Sequence, residues 1–132
     1  MVSIPQSHRD LVTSSQVVSL ATNGHDGYPQ VTATWFLLDD GNVIRISVNT
    51  ERHKLKNLRR DPRATLFFVD PANPNRTLEI RANVTIEADD DYAFADRVGA
   101  RYGGVNLREF DGPGATRVTL LFEPVKVNTW GS

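Results

Sequence analysis

Arg52, Lys54, Lys56, Arg59, Arg60 and Arg63 place six of the chain's fifteen Lys and Arg within a dozen residues. Cations at that density suit anion binding: arginine offers a planar fork that can engage an anion through two bonds, and lysine a mobile point charge. They lie in the stretch VNTERHKLKNLRRDPRATLFFV, residues 48–69. Thr50 has the right type for an N-cap, because its hydroxyl can accept from first-turn amides that have no partner inside a helix. Asp61-Pro62 ends the helix, since the residue before a proline is pushed out of the α region. A helix over residues 51–60 is predicted. At 100° per residue Leu55 and Leu58 share one side, Lys54 sits on its border, and Arg52, His53, Lys56 and Arg60 lie opposite. The free amides and dipole of a helix start favour an anion, so Arg52 and Lys54 define a candidate phosphate site. The same charges also describe a solvated amphipathic helix.

Other chemistries find less support. The three histidines, His8, His25 and His53, fall in unrelated elements without ligand spacing, so no metal site is expected. The chain has no cysteine, which removes disulfides, thiolate nucleophiles and sulfur-ligated metals, and redox chemistry would need a borrowed cofactor. Ser14, Ser15 and Ser19 lack a nucleophile-elbow context, and the glycine-rich turns lack GxGxxG or GKS frames. Asp89, Asp90 and Asp91 read as acids at a helix start, where the macrodipole accounts for them. Tyr28 and Tyr102 are conceivable proton donors but read more readily as core or rim residues, so no catalytic acid is named. Tyr28, Trp35, Phe67 and Phe68 with Arg45 offer base-stacking aromatics beside a cation, which keeps a non-catalytic cofactor-binding or single-stranded nucleic-acid-binding barrel as an alternative of another class. A formal charge of −1 argues against a general polyanion binder.

The elements that must position the basic helix read mostly as strands. Ser3-Ile4-Pro5-Gln6 has capping-box spacing and predicts a short helix over residues 5–14. Val17 to Ala21 is an apolar strand, followed by a glycine turn and a return strand over residues 28–38. There Val31, Ala33, Trp35 and Leu37 form the apolar face, and Gln30, Thr32 and Thr34 are free to line a pocket. Asp39-Asp40-Gly41-Asn42 makes a turn into a strand over residues 43–49 that delivers the chain to the basic helix. Residues 64–69 are nearly all apolar and suggest burial on both faces; residues 76–88 alternate with Leu78, Ile80, Ala82, Val84 and Ile86 facing the core. A second helix carries Tyr92, Ala95, Val98 and Tyr102 and stops at Gly103-Gly104. Residues 105–115 read as a loop, and residues 116–122 and 125–130 as strands broken at Glu123-Pro124. The order favours an antiparallel barrel with peripheral helices.

A chain of 132 residues, 39% hydrophobic and 23% charged, is one domain's worth, so residues 1–132 are taken as a single domain. No apolar run reaches the length of a membrane span and the start MVSIPQSHRD lacks the features of a signal peptide, so a cytoplasmic protein away from membranes is expected.

The run Arg52-His53-Lys54-Leu55-Lys56-Asn57-Leu58-Arg59-Arg60-Asp61-Pro62-Arg63, followed by a hydrophobic strand, resembles the signature of the flavin and deazaflavin split-barrel family. That family includes pyridoxamine 5'-phosphate oxidase and the F420-dependent reductases, and the version here is similar to small actinobacterial F420-binding members. Tyr28-Pro29-Gln30-Val31 and Leu78-Glu79-Ile80-Arg81 extend the likeness more loosely. The resemblance implies an antiparallel split β-barrel homodimer with cofactor grooves at the subunit interface. It implies that Arg52 and Lys54 bind the cofactor phosphate, and that Ser47, Val48, Asn49 and Thr50 pass along the tricyclic ring. Asn57 and Gln30 are further cofactor-binding candidates. The expected activity is hydride transfer between reduced F420 and a small unsaturated or conjugated substrate. An FMN-binding pyridoxamine 5'-phosphate oxidase-like protein or flavin reductase is the alternative. The oxidase pattern has an arginine where this chain has His53, which argues against FMN, and the chain stops at Ser132 without the longer C-terminal segment that supplies substrate contacts in true oxidases, which argues against that oxidase activity.

Overall fold

The computed structural model describes residues 2–40 and 43–132. A 3-10 turn, Gln6–His8, runs into α1, Arg9–Ser14. Seven strands follow: β1 Val18–Asn23, β2 Pro29–Thr34, β3 Leu37–Asp39, β4 Val43–Asn49, β5 Arg63–Asp70, β6 Asn73–Ala88 and β7 Arg117–Trp130. Three helices interrupt them: α2 His53–Arg60, α3 Ala93–Arg101 and α4 Leu107–Asp111. The strands form one sheet in the order β2-β1-β5-β6-β7-β4-β3, with every pairing antiparallel. This is the mainly antiparallel split-barrel architecture with peripheral helices. Gly41 and Asn42 of the expected turn lie outside the described residues.

Register explains where the core sits. Leu20 pairs with Leu66, Leu66 with Ile80 and Ile80 with Val127, so a row of apolar side chains crosses four strands on one face. A second row joins Ile86, Leu120 and Ile46 on the same face. Side chains on opposed residues of a pleated sheet share a side, and curling the sheet closes that side into a core. Leu55 and Leu58 of α2 and Leu11 and Val12 of α1 cap it, all buried. Among the described residues no helix is long and apolar enough to cross a membrane.

Several local expectations change. The helix expected over residues 5–14 splits, and its start has no side-chain cap; the His8 ring instead ties it down, with Nε2–H donating to the Trp130 carbonyl at 3.2 Å and Nδ1 accepting from Ser7 Oγ at 2.8 Å. The return strand breaks at Trp35 and Phe36, where the Tyr102 hydroxyl accepts from Phe36 N at 3.1 Å and donates to Phe36 O at 3.0 Å in place of a strand partner. On β2 Val31 is 61% exposed on the outer side, while Gln30, Thr32 and Thr34 turn inward and line the cleft, as their place in the alternation allowed. β5 is buried on one face only, with Phe67 and Val69 outside, because a single sheet has its core on one side. The expected loop after α3 contains α4, capped by the Asn106 side chain accepting from Arg108 N and Glu109 N. β7 is continuous through Pro124 because the register shifts there: Arg81 faces Lys126 and Ala82 faces Pro124, leaving Val125 as the extra residue of a bulge.

Asp89 does more than sit near a helix dipole. Its buried carboxylate accepts from Phe94 N at 3.0 Å and Ala95 N at 2.9 Å, satisfying first-turn amides of α3. Asp89→Ala should therefore lower stability by about 1–2 kcal/mol. The exposed neighbour Asp90→Ala should stay within about 0.5 kcal/mol. Urea denaturation of both variants with unchanged m-values is the check.

Candidate functional site

The end of β4, the start of α2, the inner side of β2 and the α3–α4 corner surround a cleft of about 650 Å³. Its character changes from one wall to the next. At the cationic end, Arg52 is the N-cap of α2 in extended conformation, φ −72° and ψ 140°, with no side-chain cap bond to the first turn. The helix thus begins two residues later than expected. Thr50 is not its cap, because the Thr50 hydroxyl bonds that of Thr116 at 2.7 Å and its amide donates to Thr116 O. Asn49 shapes the turn instead, its Oδ1 accepting from Glu51 N and its carbonyl from Arg52 N.

Lys54 is half-buried against this turn, and its pKa is pushed below the ordinary 10.5 first by burial and then by the charge of Arg52. None of the ion pairs among the described residues includes Arg52 or Lys54. Two cations therefore share one end of a cleft that Glu51 also lines, and among the described residues neither is held in an ion pair, an arrangement suited to a phosphate or other anionic group.

The wall opposite is polar. Gln30, Thr32 and Thr34 point in from β2, and Thr32 Oγ1 is buried without a hydrogen-bond partner among the described residues. A third wall is apolar: Val17, Trp35, Val98, Val105, Leu107 and Phe110. Trp35 is held in place by Tyr102, whose ring stacks on it with centroids 4.4 Å apart and planes 5° from parallel.

The floor contains a buried ion pair. Arg117 Nε and Nη2 donate to the two Asp111 carboxylate oxygens at 2.6 and 2.9 Å, with side chains 8% and 1% exposed. Arg117 Nη1 also donates to Ser47 Oγ at 3.2 Å, and Tyr92 Oη donates to Asp111 Oδ2 at 2.8 Å. Hydrogen bonding from Arg117 holds the Asp111 carboxyl below the usual carboxylate range despite burial, while burial and then Asp111 push the Tyr92 phenol up.

Of the residues read as cofactor-binding, Gln30, Ser47, Val48, Asn49, Arg52 and Lys54 line this one cleft. Thr50 lies beside it, engaged with Thr116. Asn57 is buried behind it and bonds Thr22 Oγ1 and Gln30 Oε1. Sequence reasoning missed the apolar wall and the Arg117–Asp111 pair. A faint signal existed in a lone arginine opening the apolar run VTLLF, six residues after an aspartate. No group of three or more His, Cys, Asp or Glu among the described residues could hold a metal ion.

The sequence model of the pyridoxamine 5'-phosphate oxidase family matches residues 4–131. Among solved structures, an F420 reductase is 34% identical, with 95% of this chain and 98% of that chain covered and a TM-score of 0.83. A conserved hypothetical protein of Mycobacterium tuberculosis is 27% identical, covering 98% of this chain and 86% of its own, with a TM-score of 0.76. A Clostridium acetobutylicum protein of the pyridoxinephosphate oxidase family shares the fold at 24% identity, 96% and 90% coverage and a TM-score of 0.70.

Removing one partner of a buried pair leaves the other charge unmatched, so Asp111→Ala should lower stability by about 3–5 kcal/mol. Because the folded pKa of Asp111 lies below its unfolded value, the carboxylate's stabilisation is complete above the unfolded pKa of about 3.9 and is lost as pH falls through the folded one. Urea denaturation should show the gap between wild type and Asp111→Asn steady from neutrality to about pH 5 and shrinking below about pH 4.

Proposed function

Because this chain belongs to the pyridoxamine 5'-phosphate oxidase family, matched over residues 4–131, we propose that it is an F420-dependent oxidoreductase whose cofactor occupies the cleft at the start of α2. The observation that carries this reading is Lys54: half-buried, depressed in pKa, beside Arg52 and without a carboxylate partner. The cleft fits an anionic, flat group, with unpaired cations at one end, inward polar groups along β2 and an apolar wall holding Trp35. Likeness to an F420 reductase at 34% identity supports the deazaflavin over FMN, as does His53 where the oxidase pattern has arginine.

Bound F420 would supply hydride transfer to or from a small unsaturated or conjugated substrate. The chain's own part is placement and exclusion of water. Arg52 and Lys54 hold the phosphate, and Ser47 to Thr50 hold the ring edge along the end of β4. Trp35, Leu107 and Phe110 cover the apolar side. FMN in the same cleft is the second reading, favoured by the family match itself.

The chain acts as a homodimer in this proposal, with residues of both copies completing each cleft. Support comes from the outer face of the sheet. Register places Ala33, Ser19 and Phe67 in one outward row and Val69, Thr77 and Trp130 in another, with Val31 beside them. Phe67 is 41% exposed, Val69 43% and Trp130 72%. Large exposed apolar side chains grouped on one sheet face in this way support an interface there. Light scattering at micromolar concentration should return twice the chain mass, and Phe67→Glu should return a monomer that retains its melting temperature within a few degrees. A monomeric wild type would remove this part of the proposal.

The cofactor reading is tested by titrating F420 and FMN separately and following fluorescence. Lys54→Ala and Arg52→Ala should each weaken F420 binding by about 1.5–3 kcal/mol, roughly ten- to a hundredfold. Lys56→Ala, on the exposed side, should do much less. If Lys54 only covers the core with its stem, the melting temperature falls while the dissociation constant holds. The Lys54 contribution should fade as pH rises through its depressed pKa, earlier than for a lysine titrating at 10.5. Binding of FMN with none of F420 would overturn the choice of cofactor.

A further inference from the structure

Behind the cleft, three polar side chains form a series whose direction is fixed by its first member. Arg60 Nη2 donates to the Asn23 carbonyl at 2.6 Å and to Asn57 Oδ1 at 3.5 Å. A guanidinium has donors only, so the atom Asn57 turns to it must be its oxygen. The Asn57 nitrogen then points the other way, donating to Thr22 Oγ1 at 3.1 Å and to Gln30 Oε1 at 3.2 Å. With its oxygen engaged by Asn57, Gln30 has only its NH₂ group left to offer to the cleft that it lines. Two residues along the same face of β2, Thr32 Oγ1 is likewise buried at the cleft without a partner.

Asn57 itself is 7% exposed and does not line the cleft, so it touches no ligand. Were it only filling space, either orientation of the Gln30 amide would serve. The arginine at the far end removes that freedom, because i and i+3 place Arg60 and Asn57 on one face of α2. We propose that Asn57, oriented by Arg60, is a positioning residue that fixes Gln30 as a hydrogen-bond donor, so that the cleft selects a ligand edge presenting carbonyl or anionic oxygen. The inference rests on the reading of this cleft as a cofactor site, and it assigns to Gln30 the carbonyl edge of the flavin-type ring.

Asn57→Asp tests it with little disturbance. A carboxylate at this position can accept from Arg60, Thr22 and Gln30 together, so the chain keeps its fold. It would also turn the Gln30 amide around, drawing NH₂ inward and leaving oxygen to face the cleft. Side-chain amide exchange by NMR on the purified chain without cofactor reads this directly. In wild type the Asn57 amide protons should be protected and those of Gln30 should exchange freely; in Asn57→Asp the Gln30 protons should become protected. Freely exchanging Gln30 protons in both proteins would overturn the proposal.

Binding provides the second arm. Asn57→Asp should weaken F420, or FMN if that is what binds, by about tenfold when Gln30 is present and by less than twofold in a Gln30→Ala background. Equal losses in both backgrounds would make Asn57 merely structural and sink the idea. Gln30→Glu keeps the bond from Asn57 and presents an acceptor to the cleft, so it should reproduce the loss even if Asn57→Asp folds poorly. If wild type binds neither cofactor, the reading of the cleft fails, while the exchange measurement still decides the orientation of Gln30.

Discussion

The row that runs Thr32, Leu20, Leu66, Ile80 and Val127 across the sheet governs what the rest of the molecule can do. All members of such a row face one side, so four apolar residues commit that side to the core, and Thr32 is carried onto it by register. Where the row passes beyond its apolar members, the inner side of the sheet is no longer core. A hydroxyl held there without a partner is unfavourable unless something reaches it. A slip of one residue between β1 and β2 would turn Val31 and Ala33 inward and fill the same space with methyl groups. The polar wall of the cleft is thus the overhang of the core's own pairing.

The opposite side is held by a different force. Taking Arg117 and Asp111 out of water costs several kcal/mol, which their attraction offsets only when the geometry is good and the remaining polar atoms are matched. Here they are matched, by the two bonds within the pair, by Tyr92 and by Ser47. Exposed pairs elsewhere, such as Arg63 with Asp61, lack that burial and are screened by water, so they contribute little. The buried pair joins α4 to β7 and reaches β4, so it sets the distance between the apolar wall and the strand end at Ser47. A purely apolar contact could stabilise as well but would not fix that spacing as closely.

What was legible in the sequence was local. The basic helix, its stop at Asp61-Pro62 and the strand on each side are contiguous in the chain, and strand alternation separated Gln30, Thr32 and Thr34 from Val31 and Ala33. Which of those faces was inner was not legible, because alternation defines two sides without saying where the core lies. Thr50 had the type of a cap, but its hydroxyl goes to Thr116, 66 residues away. Asn57 reads as a ligand candidate in its motif, yet its partners are Gln30 and Thr22, 27 and 35 residues away. At five residues, α4 is too short to show a helical period. A proline broke the expected final strand because a bulge that accommodates it exists only once β6 is paired.

The cationic end differs from the basic groups that are held in ion pairs. The chain has sixteen acidic residues for fifteen Lys and Arg, so charge balance does not require any base to stand alone. Arg76 takes Asp10 and Asp70, Arg97 takes Asp39, and Arg117 takes Asp111. Among the described residues Arg52 and Lys54 form no such ion pair, and Lys54 is partly removed from water as well. Burial, and then the charge of Arg52, push its pKa down, so the folded chain disfavours the charge it carries there. An anion arriving at this end gains the ordinary attraction and also relieves the repulsion between the two cations. Both effects act in a medium less polar than bulk water and are larger there than at an exposed lysine. By that argument the half-buried Lys54, rather than the more exposed Lys56 two residues on, is the one able to turn local strain into affinity.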